Sequence, residues 1–127
     1  MLFRSKQTLV LGASSNPERY AYKAIERLVE TGNEVIAFAP RAGAVGNVVF
    51  ETSWNPNWAI DTITLYINPS RQEAYYQAIL ELKPRRVLFN PGTENPTFKS
   101  ILELAGIQTE EACTLVLLAM NQYDSLH

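Results

Sequence analysis

The chain has 127 residues, 46% of them hydrophobic and 19% charged, and a formal net charge of -2. This predicts one globular domain over residues 1–127 with a core of its own, and it excludes nucleic-acid binding driven by bulk positive charge. A single cysteine, Cys113, excludes an intrachain disulfide, and with the terminal His127 as the one histidine a His/Cys zinc site is excluded and a Ser-His-Asp or Cys-His triad nearly so.

Met1 to Lys6 carries two basic residues but no secretory apolar segment. The strong apolar run Leu115 to Met120 falls far short of the roughly 20 residues of a membrane span. The expectation is a soluble cytoplasmic protein with no membrane partner.

Thr8-Leu9-Val10-Leu11 is a short apolar run closed by Gly12, which reads as a buried strand. Ala21, Ala24, Ile25, Leu28 and Val29 follow at helical spacing, and Gly32 stands where a glycine ends a helix. Glu34 to Ala39 is the second strand, stopped by Pro40. Val48-Val49-Phe50 reads as a short edge strand of undetermined direction. Ile63 to Ile67 is the next clear strand, and Ser70 with Glu73 matches a capping box. Ala74, Ala78, Ile79 and Leu82 would be that helix's buried face, ended by Pro84. Arg86 to Phe89 is another buried strand. Pro96 suits a first helical turn after Asn95, and Phe98, Ile101, Leu102 and Ala105 continue it to Gly106. Ile107 to Thr109 reads as a last short strand and Cys113 to Met120 as a short apolar helix. Strands alternating with helices predict an α/β fold: a doubly wound, mostly parallel sheet of five to six strands flanked by helices.

Five of the seven prolines follow asparagine. Pro17, Pro40, Pro69 and Pro91 stand just past the C-terminal ends of predicted strands, the edge at which open α/β sheets bind ligands. Turn chemistry alone also accounts for the pattern. The first such loop, Gly12-Ala13-Ser14-Ser15-Asn16, joins a strand to a helix, where backbone N–H groups favour an anion; Arg19 adds charge. It lacks the later glycines of G-x-G-x-x-G. The second strand ends Phe38-Ala39-Pro40-Arg41 with no acidic residue for ribose hydroxyls. Arg41 there suits an extra ribose phosphate, as in NADP or coenzyme A, or is simply a solvated arginine.

In chain order, Gly12-Ala13-Ser14, Asn16-Pro17-Glu18-Arg19, Glu34-Val35-Ile36 running to Pro40, Gly46-x-x-Val49-Phe50, Asn90-Pro91-Gly92, Ala105-Gly106-Ile107 and Glu110-Glu111-Ala112-Cys113 resemble the small bacterial CoA-binding family. That family is similar to the N-terminal Rossmann domain of the succinyl-CoA synthetase α subunit. The resemblance implies a Rossmann-like domain that binds coenzyme A or an acyl-CoA. It puts the pyrophosphate on Gly12, Ala13, Ser14, Ser15 and Asn16, with Arg19 nearby. Pro40 and Arg41 would flank the adenosine. Asn68, Pro69, Ser70 and Arg71 would line the crevice, and Asn90, Pro91 and Gly92 would close it near the pantetheine arm. The family often has Gln where this chain has Asn90, and Asp-Arg where it has Glu111-Ala112.

Cys113 reads either as a thiol beside the CoA sulfur or as a small residue at a helix start. Asp61 and Glu94 are the candidate acid–base carboxylates, with plain loop roles as the alternative. The expectation is a small-molecule nucleotide-binding protein without evident catalysis. Two alternatives stay open: an NADP-dependent oxidoreductase, and a regulatory scaffold whose Trp54, Trp58 and Tyr123 form an exposed aromatic patch, three residues that a place in the core accounts for equally well.

Overall fold

The computed structural model describes residues 7–124, so Met1 to Lys6 and the terminal His127 lie outside the described residues. Its elements are β1 (Gln7–Leu11), α1 (Tyr20–Glu30), β2 (Glu34–Phe38), β3 (Ala44–Val45), β4 (Val48–Val49), β5 (Thr62–Leu65), α2 (Pro69–Gln72), α3 (Tyr76–Leu82), β6 (Arg86–Phe89), α4 (Pro96–Leu104), β7 (Gln108–Glu111) and α5 (Thr114–Ala119). Five strands form one parallel sheet in the order β2-β1-β5-β6-β7. The chain moves outward from β1 to β2 and then returns to the other side of β1. The crevice between β1 and β5 is therefore the topological switch point, where such sheets take ligands. Leu11 pairs with Phe38 and Leu65, Leu65 with Phe89, and Phe89 with Glu111, so the C-terminal strand ends form one row. Among the described residues, no helix is long and apolar enough to cross a membrane.

Side-chain alternation explains why both faces are covered. Leu9, Leu11, Ile63, Leu65, Val87 and Phe89 point one way, onto Ile79 of α3 and Phe98 and Leu102 of α4. Val10, Ala37 and Leu88 point the other way, onto Ile25 and Leu28 of α1 and Leu118 of α5. Polar groups in the strands are matched. Arg86, 3% exposed, donates to Thr62 Oγ1 (3.1 Å) and the Tyr123 carbonyl (2.8 Å) and lies 4.6 Å from the Tyr123 ring.

Four local expectations need correction. Val48–Val49 is not an edge strand of the main sheet; it runs antiparallel to Ala44–Val45 in a hairpin turned by Gly46 at φ +58°. Glu51, just after it, bridges to Phe38 at the β2 edge of the main sheet. Ser70 and Glu73 form no capping box. Asn68 is the N-cap, Pro69 takes the first helical position, and Ser70 Oγ donates to Asn68 Oδ1 (2.7 Å). The buried residue at the start of that helix is Gln72, not Ala74. Its Nε2 donates to the Ile67 and Thr93 carbonyls (3.0 and 2.8 Å), and its Oε1 accepts from Asn95 Nδ2 (3.0 Å). A 3-10 turn at Glu73–Tyr75 follows before α3 begins. Finally, Tyr123 is buried, bonded to Thr8 Oγ1 (2.6 Å), and packs in the core with α1 and α5, whereas Trp54 and Trp58 are half-buried and pack against the other core cluster. The three aromatic residues do not form one patch.

Asp61 sits just before β5 and takes two hydrogen bonds from Arg85, at 2.8 and 3.0 Å. Burial opposes ionisation of this carboxylate, but the hydrogen bonds from Arg85 and Thr62 and the charges of Arg85 and Arg86 outweigh it and lower its pKa. A depressed folded pKa stabilises the protein above the ordinary aspartate value of about 3.9 and ceases to do so as pH falls through the lower folded value. Asp61→Asn is therefore expected to lose roughly 1 kcal/mol near neutral pH and to show a shallower decline below about pH 4. Urea midpoints from pH 3 to 7 measure this; the same acid decline in both proteins would contradict it.

Candidate functional site

The site is built where β1 stops. Gly12 has φ +100°, and the N–H groups of Gly12 and Ala13 both donate to the Phe38 carbonyl, at 3.1 and 3.0 Å. Those two amides are spent on joining β1 to β2. A Cβ on Gly12 would stand 2.8 Å from Ile67 Cγ2 and 3.0 Å from the Tyr66 carbonyl carbon. The glycine thus lets the β1 and β5 exits approach each other; its missing side chain does not face the open loop.

The uncommitted amides lie one step further on. Among the described residues, no hydrogen bond takes the N–H of Ser14 or Ser15. Ser14 Oγ accepts from the Asn16 N–H (3.1 Å), which leaves its own proton for another acceptor. Asn16 Oδ1 accepts from the Glu18 N–H (3.0 Å), and the Asn16 carbonyl from the Arg19 N–H (3.0 Å). These bonds turn the loop into α1, whose N-cap is Arg19.

Beside the loop is a cleft of about 310 Å³, bounded by the ends of β1 (Leu11, Gly12) and β2 (Phe38, Pro40), by Ile67 and by Arg71, Ala74 and Tyr75. Its walls are largely apolar, with Arg71, the Tyr75 phenol and the backbone as the polar groups, which suits a flat organic ring carrying an anion at one side. Gly12, Pro40 and Arg71 are the sequence-derived residues that meet in this cleft. Ser15, Asn16 and Arg19 are exposed on the loop at its side, with Ala13 and Ser14 half-buried. Asn68, Pro69 and Ser70 are exposed at the start of α2, and Arg41 is exposed next to Pro40 without lining the cleft.

Asn90, Pro91 and Gly92 sit two strands from β1. The Asn90 side chain is turned inward: Nδ2 donates to Thr64 Oγ1 (2.6 Å) and the Leu65 carbonyl (2.8 Å), and Oδ1 accepts from the Thr114 N–H (2.8 Å). Its amide is spent on holding β5, β6 and α5 together. Pro91 and Gly92 are exposed at the rim, where the Gly92 N–H donates to Glu94 Oε1 (2.8 Å). Cys113 is half-buried at the N-cap of α5. Tyr66, next to Gly12, has a buried hydroxyl with no hydrogen-bond partner among the described residues, and burial pushes its phenol up to about 12. It stays neutral at ordinary pH. Asp61, engaged by Arg85 at the N-terminal edge of the sheet, is far from the cleft.

Sequence reasoning missed Leu11, Phe38, Ile67, Ala74 and Tyr75. Leu11 and Phe38 end their strands, which was a usable signal; Ala74 and Tyr75 reach the cleft through the 3-10 turn, which left none.

A family model described as CoA binding domain matches residues 6–119 of this chain. Among solved structures, the crystal structure of an uncharacterized protein is 43% identical with a TM-score of 0.89, over 94% of this chain and 99% of that one. Cell-free ID.343 from Thermus thermophilus is 25% identical with a TM-score of 0.79, over 93% and 90%. A hypothetical protein from Pyrococcus horikoshii OT3, 22% identical, covers 89% of this chain and 81% of its own with a TM-score of 0.78, which speaks for the fold alone. No curated protein matches the chain.

Proposed function

The chain belongs to the CoA-binding domain family, and from that premise we propose that it binds coenzyme A or an acyl-CoA without catalysis of its own. One observation carries the reading. An apolar cleft with a single cationic side chain, Arg71, opens at the switch point, directly beside a loop with two uncommitted N–H groups. The cleft suits the adenosine, and Ser14, Ser15 and Arg71 suit the pyrophosphate. Arg41, exposed past β2, suits the 3′-phosphate of the ribose. Pro91 and Gly92 lie along the strand-end row, on the path of an arm reaching toward β7.

The two arginines separate the phosphates. Arg71→Ala is expected to weaken CoA and dephospho-CoA alike, by about tenfold, as for loss of a charge-assisted hydrogen bond. Arg41→Ala is expected to weaken CoA by about threefold to fivefold, an exposed contact, and to leave dephospho-CoA unchanged. Raising salt should narrow the wild-type preference for CoA. Calorimetry of both ligands, with NADP and NAD as comparisons, tests this. Tighter binding of NADP than of CoA would replace the reading with a dinucleotide site.

A further inference from the structure

Trp54 and Trp58 come from the irregular segment between β4 and β5, which contributes nothing to the cleft lining. Yet the segment is held firmly at its start. Glu51 exchanges hydrogen bonds with the β2 edge: its N–H donates to the Ala37 carbonyl (2.8 Å), and its carbonyl accepts from the Ala39 N–H (3.1 Å). Asn55 then builds a turn, with Oδ1 accepting from the Asn57 N–H (2.8 Å) and its carbonyl from the Trp58 N–H (3.3 Å). This turn brings the two indoles back onto the sheet. The Trp54 ring lies 5.3 Å from Phe38, 5.8 Å from Tyr75 and 5.2 Å from Trp58. Phe38 is also 5.9 Å from Tyr75 and 6.3 Å from Trp58. Phe38 and Tyr75 are the two aromatic walls of the cleft.

Each of these rings packs edge-on or tilted against its neighbours, so none can turn without displacing another. Tyr75 sits in the 3-10 turn between α2 and α3, and no capping side chain holds that turn. Its ring packs against Phe38 and Trp54. Trp54 carries one further mark: its Nε1–H is buried and has no acceptor among the described residues. A buried donor left unpaired is costly and calls for a reason.

We propose that Trp54 is a positioning residue for the base end of the cleft: through Phe38 and Tyr75 it fixes the walls against which a flat heteroaromatic ring lies, and its indole is therefore coupled to occupancy of the site. This rests on the reading of the cleft as the nucleotide site and adds the residue that sets its shape. Trp58 packs on both Trp54 and Phe38 and makes no ring contact with Tyr75 among the described pairs.

The test uses the whole chain and fragments of the ligand. Wild-type protein, Trp54→Phe and Trp54→Ala are titrated calorimetrically with CoA, with adenosine 3′,5′-bisphosphate, and with 4′-phosphopantetheine. Trp54→Phe is expected to weaken CoA and the bisphosphate by about fivefold to tenfold while phosphopantetheine is unchanged, and Trp54→Ala by more. In Trp58→Phe, Trp54 is the only tryptophan, because the chain has two. Its emission is expected to change on titration with the bisphosphate and to saturate with the calorimetric midpoint. A folded Trp54→Phe protein that binds the bisphosphate as the wild type does, or loses all three ligands equally, would overturn the proposal. So would a Trp54 emission that stays constant while calorimetry shows saturation. If wild-type protein binds neither CoA nor the bisphosphate, the cleft reading itself falls; if wild type binds and only the Trp54 readouts are flat, the positioning role falls alone.

Discussion

Gly12→Val is expected to destabilise the ligand-free protein by roughly 2–5 kcal/mol, the sum of a left-handed backbone penalty and an overpacked contact. At φ +100° a side chain is strained before any contact is counted. A Cβ would also meet Ile67 Cγ2 at 2.8 Å and the Tyr66 carbonyl oxygen at 3.1 Å. The isoleucine methyl can shift, but the Tyr66 backbone is tied to Leu11 by a 2.9 Å hydrogen bond and cannot retreat without opening the β1–β5 pair. Gly12→Ala should lose less, because it lacks the branched methyls. Urea unfolding without ligand measures both. A Gly12→Val midpoint equal to that of the wild type, accompanied by lost CoA binding, would return the glycine to a direct role in phosphate approach.

Asn90→Ala should cost roughly 3–4 kcal/mol, because buried groups left unpaired cost about 1–3 kcal/mol each. The substitution orphans the Thr114 N–H at the start of α5 and removes the donor to the Leu65 carbonyl and Thr64 Oγ1. Thr64 Oγ1 keeps its 2.8 Å bond to Thr114 Oγ1, so the loss is not total. Asn90→Asp keeps the shape but cannot donate, and it adds a buried charge at neutral pH. It should therefore recover stability as pH is lowered, whereas Asn90→Ala should not. Thermal unfolding at pH 5 and pH 8 distinguishes the two. Unchanged apo stability with a selective loss of CoA affinity would show that the amide serves the ligand, as the family resemblance implies for this position.

The parallel sheet was legible because its signals are local. Leu9-Val10-Leu11 and Val87-Leu88-Phe89 are apolar on successive residues, which only a strand covered on both faces requires. Gly32 and Gly106, at φ +87° and +82°, end helices as their positions predicted. Asn95 was recognised before Pro96, and its Oδ1 indeed accepts from the Phe98 N–H at 3.0 Å. Gly12 and Pro40 were legible as strand-end residues and Arg71 through the family resemblance, and these three meet at the cleft.

Tertiary structure alone decided the rest. Ser70 and Glu73 have the spacing of a capping box, but the buried Gln72 amide bridges Ile67, Thr93 and Asn95 and sets where that helix begins and bends. No pattern of spacing reports a bond to a residue 21 positions away. Asn90 and Asn68 look alike before their prolines. One is spent inside the sheet because Thr64 and Thr114 come within reach across strands, and the other stays exposed on Ser70. Trp54 and Tyr123 are both aromatic residues in polar surroundings. Which one backs the cleft and which anchors the opposite face depends on the order β2-β1-β5-β6-β7, a property of the assembled sheet and not of either residue's neighbours in sequence.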